Sequence, residues 1–91
     1  MKTVGQFLKE ARTTKNMSLP SISRTTRIKE KFLLNIESCN WSALPPFTTT
    51  QGFTRSFAKV VGADPEVAAA LLRRDFPGLV APTRSSEMSL S

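Results

Sequence analysis

Val4, Phe7, Leu8 and Ala11 recur at i, i+3, i+4 and i+7, the apolar stripe of an amphipathic helix over roughly residues 3–15. Thr3 followed three residues later by Gln6 reads as a capping box at its start. Lys15 suits the negative end of the helix dipole, and Asn16 is a stop. Ser18 is the N-cap of a second, short helix, with Pro20 in its first turn, where a missing N–H costs little. Leu19, Ile22 and Ser23 form its inward side. Ile28, Phe32, Leu33 and Ile36 then repeat at helical spacing up to Glu37, after a turn expected around Thr25, Thr26 and Arg27. Two short helices joined by so tight a turn make a helix-turn-helix.

The stretch from Ser38 to Pro46 is a connector, with Trp41 and Leu44 expected to fold back onto the core. Phe53, Phe57, Val60 and Val61 mark a fourth helix over roughly residues 49–61. Gly62 stands where a left-handed C-terminal cap would be. Asp64, Pro65 and Glu66 open a fifth helix that carries Val67, Ala68, Leu71 and Leu72 to about Asp75. No segment alternates with period two. The expected fold is all-α: a five-helix, repressor-like helix-turn-helix domain over residues 1–76. A flexible Ser/Thr/Pro-containing linker is expected over residues 77–91. The expected core is Val4, Phe7, Leu8, Ile22, Ile28, Phe32, Leu33, Ile36, Trp41, Leu44, Phe57, Val61, Leu71 and Leu72.

Composition narrows the chemistry. In 91 residues there is no histidine and one cysteine, Cys39. Zinc sites of Cys and His, Ser-His-Asp triads and intramolecular disulfides are thereby excluded. The glycines are scattered, so no phosphate-binding loop is formed. The expectation is a binding module, not an enzyme, with no catalytic residue, metal, cofactor or small-molecule substrate. The longest apolar run, Val67 to Leu72, is far short of the roughly 20 residues of a membrane span. With no signal-peptide core at the start, the expected location is cytoplasmic. Net charge is +6, and residues 1–31 hold eight of the 13 basic residues against two acids. That excess predicts weak, salt-sensitive contact of this third with nucleic acid or an anionic membrane surface.

The residues also carry a resemblance. The run from Gly5 to Arg12, Met17-Ser18-Leu19, Thr26-Arg27-Ile28, Phe32-Leu33, Ile36-Glu37, Trp41 with Leu44-Pro45, the run from Gly52 to Lys59, and Gly62 to Pro65 keep the order and spacing of one family. Together they resemble the N-terminal cytoplasmic helix-turn-helix domain of RodZ-like bacterial cell-shape proteins. Ser23, Asn35, Cys39, Pro46 and Thr49 depart from the family pattern; Thr49 stands where an aromatic is common. The resemblance implies an adaptor that binds the bacterial actin homologue MreB through its fourth helix. It also implies a full-length protein anchored in the inner membrane by a segment beyond Ser91. On this chain the contact would fall on Thr49, Thr50 and Phe53, with Phe53 as the aromatic anchor. Phe53 follows Gly52, whose cost of about 1 kcal/mol inside a helix is easier to understand where another backbone comes close. The alternative reading is a sequence-specific DNA-binding regulator. Arg27, Lys29, Lys31 and Asn35 would then face the major groove, although Glu30 and Leu34 share that side.

Overall fold

The computed structural model describes residues 2–78. Five α-helices follow in order, as the spacing predicts: Val4–Thr14 (α1), Leu19–Thr26 (α2), Glu30–Glu37 (α3), Phe47–Val60 (α4) and Pro65–Asp75 (α5). A 3-10 turn at Trp41–Ala43 lies in the connector between α3 and α4. The fold is all-α. The linker expected over residues 77–91 falls, from residue 79 on, outside the described residues.

Local chemistry explains most of the boundaries. Thr3 and Gln6 exchange both bonds of a capping box, with the Thr3 hydroxyl accepting from the Gln6 N–H at 3.1 Å and the Gln6 side chain accepting from the Thr3 N–H at 3.0 Å. The Ser18 hydroxyl accepts from the Ser21 N–H, and the Asp64 carboxylate from the Glu66 N–H at 2.9 Å, so both chosen caps act as caps. Gly62 is left-handed at φ 77°, and Asn16 ends α1 at φ 56°.

Two boundaries differ from the sequence pattern. The turn between α2 and α3 is Arg27, Ile28 and Lys29, not Thr25 to Arg27, because the two threonines stay helical. Their hydroxyls donate to the carbonyls of Ser21 and Ile22 at 3.2 and 2.8 Å, which satisfies them inside the last turn of α2. The fourth helix begins at Phe47, not near Thr49. Pro46 is extended (φ −53°, ψ 158°), and Phe47 is drawn into the first turn by edge-on packing against Phe76, with ring centroids 5.5 Å apart.

The core is built from Val4 and Leu8 of α1, Ile22 of α2, Ile28 of the turn, Leu33 and Ile36 of α3, Phe57 and Ala58 of α4, Val61, and Ala68 and Leu72 of α5. Of the expected core, Phe7, Phe32, Trp41, Leu44 and Leu71 pack against this centre while remaining partly exposed. Trp41 does fold back, onto Phe76, with ring centroids 5.4 Å apart. Thr50 and Thr54 are fully buried, although threonine there reads as polar surface. The Thr50 hydroxyl donates to the Pro45 carbonyl at 2.9 Å. The Thr54 hydroxyl has no partner among the described residues, and nothing in the structure explains it.

Helices α4 and α5, joined by a short loop, form the most extensive pair, while α1 bridges α3 and α5, and α2 rests on α3 and α4. Two polar devices hold α1 in place. At one end Asp75, its side chain 15% exposed, accepts from the Val4 N–H at 2.8 Å and from Arg74, whose guanidinium also reaches the Lys2 carbonyl. Burial alone would raise the Asp75 pKa, but the bonds from Arg74 and Val4, with the charge of Arg74, outweigh it and hold the carboxyl below its ordinary value. At the other end Arg12 forks onto Glu37 of α3. Between them Gly5 brings the α1 backbone directly against the last turn of α3.

Candidate nucleic-acid interface

The helix-turn-helix is locked by short bonds around Ile28. The Ser23 hydroxyl donates to the Ile28 carbonyl at 2.5 Å, and the Thr26 hydroxyl accepts from the Ile28 N–H at 3.2 Å. Ser23, one of the departures from the family pattern, is thus a polar pin across the turn. Buried Ile28 anchors the same three residues from below. Arg27, beside it, is left-handed at φ 63°. That conformation is uncommon for a residue with a side chain, and it ends α2 sharply enough for α3 to turn away.

The charge arithmetic of the first third becomes more selective once contacts are known. Lys2 pairs with Glu10, Arg12 with Glu37, Arg55 with Glu66, and Arg74 with Asp75. Eight exposed cations make no ion pair among the described residues: Lys9, Lys15, Lys59 and Arg73 are spread over the fold, whereas Arg24, Arg27, Lys29 and Lys31 are consecutive cations in the sequence. They follow one another from the last turn of α2 into the first turn of α3. Arg24 was not among the expected DNA contacts, yet it lies one turn before Arg27; the signal available was its i, i+3 spacing to Arg27. Lys31 lies over the Phe32 ring, its Nζ 5.3 Å from the centroid. Asn35 is only half-exposed, and its carbonyl accepts from the Asn40 N–H at 2.8 Å. The outward side of α3 therefore presents Lys31 and Leu34, with Glu30 beside them and Asn35 at the edge.

The three residues expected to contact a protein partner do not form one surface. Thr49 is exposed, and Phe53 is half-buried, stacked on Phe32 at 5.6 Å with an interplanar angle of 26°. Thr50 faces the core and is fully buried, so the expectation that its side chain meets a partner is corrected: helical geometry turns it away from Thr49, and its hydroxyl is already bonded to Pro45. Gly52 is exposed, and a Cβ there would meet none of the described residues within 4 Å. Through the Phe32–Phe53 stack, the α4 patch adjoins the cationic side of α3.

No pocket is present among the described residues, and no group of His, Cys, Asp or Glu is placed to hold a metal ion. Nor is any described helix long and apolar enough to cross a membrane. What the described residues display is a helix-turn-helix with exposed cations along its turn.

A family profile described as a helix-turn-helix domain matches residues 7–68, and the chain belongs to that family. Among solved structures the chain is similar to YmfM of Staphylococcus aureus, described as a candidate DNA-binding membrane protein. The two share 32% identity over 90% of this chain and 100% of that one, with a TM-score of 0.76. No curated protein matches the chain.

Proposed function

We propose that the domain binds duplex DNA, with α3 directed at the major groove and the turn before it at the phosphate backbone. The observation that carries this reading is the run of Arg24, Arg27, Lys29 and Lys31, exposed and free of ion pairs among the described residues. Cations compensated within the fold, such as Arg12, contribute little to a polyanion, whereas uncompensated ones release counterions from it. The description of the similar YmfM as a candidate DNA-binding protein supports the same reading. The test is fluorescence anisotropy with labelled duplexes across a salt series. Replacing both lysines (Lys29→Ala with Lys31→Ala) is expected to lower the slope of log affinity against log salt by about 2 and to weaken binding about tenfold, with the helical circular dichroism unchanged. Unchanged affinity in the folded double variant would show that α3 does not face DNA.

A second reading is favoured by Gly52. Its position inside α4 destabilises the helix by about 1 kcal/mol relative to alanine. Among the described residues none comes close enough to require a glycine. Close approach of another protein's backbone supplies the missing reason. Joined to the RodZ-like resemblance, this supports an adaptor that docks MreB filaments through Thr49, Gly52 and Phe53. The full-length protein would be anchored in the membrane beyond Ser91; the description of YmfM as a membrane protein is in keeping with that. Gly52→Ala is expected to raise stability by up to about 1 kcal/mol. Gly52→Ala and Phe53→Ala should each reduce co-sedimentation with MreB filaments severalfold. If both folded variants co-sediment as wild type does, α4 is not the docking face.

A further inference from the structure

We infer that Leu34 reads the C5-methyl group of thymine in the major groove, giving the helix-turn-helix a preference for sites with an A·T pair at one fixed position. The inference rests on the duplex-DNA reading above. Leu34 is 54% exposed, one of two large hydrophobic side chains left in water among the described residues; the other is Val67 of α5, at 44%. A single exposed leucine needs no explanation by itself. Its surroundings are what give this one meaning.

Leu34 lies one turn after Lys31 on the outward side of α3, the helix into which the exposed run Arg24, Arg27, Lys29 and Lys31 leads. An exposed leucine one turn from a free lysine, on a helix preceded by three more free cations, is complementary to a groove whose rims are phosphates and whose floor carries an apolar methyl group. The other groups by which base pairs are told apart in the major groove are hydrogen-bond donors and acceptors; the thymine methyl is the bulky apolar one and matches a leucine. Glu30 fits the same arrangement. It is repelled by phosphate at the rim, but a carboxylate at the groove floor accepts from the cytosine amino group. Leu34 and Glu30 thus turn from objections to a groove-facing α3 into its means of reading bases. Because Leu34 is largely exposed, its replacement leaves the core untouched.

The experiment begins with selection from a randomised duplex pool by the wild-type chain, followed by anisotropy titration of the enriched duplex and of the same duplex with uracil in place of thymine. Loss of one buried methyl group is expected to weaken wild-type binding about fourfold. Leu34→Ala should bind the thymine duplex at the uracil level and lose the distinction between the two. Enrichment of no sequence overturns the inference, as does equal wild-type affinity for the two duplexes or discrimination that persists in Leu34→Ala. These failures are separable from failure of the DNA reading itself. In the first case duplexes still bind, and binding still falls with Lys29→Ala plus Lys31→Ala; in the second no duplex binds with lysine dependence.

Discussion

Gly5→Ala is expected to be the most damaging single methyl that can be added to this domain, lowering the melting temperature by about 10 °C or more. By helix propensity alone the change should help, since alanine is favoured over glycine by about 1 kcal/mol inside a helix. Sterics oppose it. A Cβ at Gly5 would overlap the Glu37 carbonyl oxygen and lie 2.7 Å from both the Ile36 oxygen and the Glu37 carbonyl carbon. All three are backbone atoms in the last turn of α3, so no side-chain rotation relieves the contact. The helices must separate, and Val4, Leu8, Leu33 and Ile36, all buried along that seam, lose their packing together. Gly52→Ala is the matched control, because a Cβ there meets none of the described residues within 4 Å and the same substitution should stabilise. Thermal denaturation of the two variants beside wild type measures both signs. A melting point for Gly5→Ala at or above that of wild type would mean that α1 does not approach α3 this closely.

The contrast between these glycines shows where sequence reasoning stops. Thr3, Ser18, Gly62 and Asp64 announce their roles because caps are local chemistry, settled within three or four residues. The apolar stripes are equally local, which is why Val4, Leu8, Ile22, Leu33, Ile36, Phe57 and Leu72 were legible as core. Gly5 and Gly52 look alike on paper; only the arrival of α3, more than thirty residues away in the chain, separates them. Phe47 joined α4 because Phe76 is there to meet it. Thr50, expected at a partner surface, is buried for a related reason: α4 is covered on a side that its polar composition would leave in water. In the candidate site, the excess of cations in the first third was plain, but which of them remain uncompensated depended on Glu37, which lies outside that third. Arg27 gave no sign of its left-handed backbone, since the residue expected at such a turn is glycine.

Breaking the Arg12–Glu37 pair is expected to cost about 3 kcal/mol, more than any substitution among the free cations. The geometry is a fork, with Arg12 Nε 2.6 Å and its terminal nitrogen 3.1 Å from the two Glu37 oxygens, while the other terminal nitrogen donates to the Met17 carbonyl at 3.0 Å. The side chains are only 16% and 5% exposed, so solvent screens the pair little. Arg12→Ala leaves a carboxylate in the interior with no cation and removes the donor that ties the loop after α1. Glu37→Gln keeps the shape but discards the charge, and should cost less than Arg12→Ala. Replacing both partners with apolar residues, Arg12→Met with Glu37→Leu, should recover most of the loss, because the larger part of the damage is the orphaned charge. Urea denaturation of the four proteins reads these differences directly. A double variant as unstable as Arg12→Ala would place the cost in lost packing or in the Met17 bond. Because Glu37 ends α3, the pair also sets how the cationic helix sits on α1. Arg12→Ala, measured below its melting temperature, should therefore weaken duplex binding only through misplacement of α3, with the salt slope kept at the wild-type value, whereas the Lys29 and Lys31 variant loses slope as well as affinity.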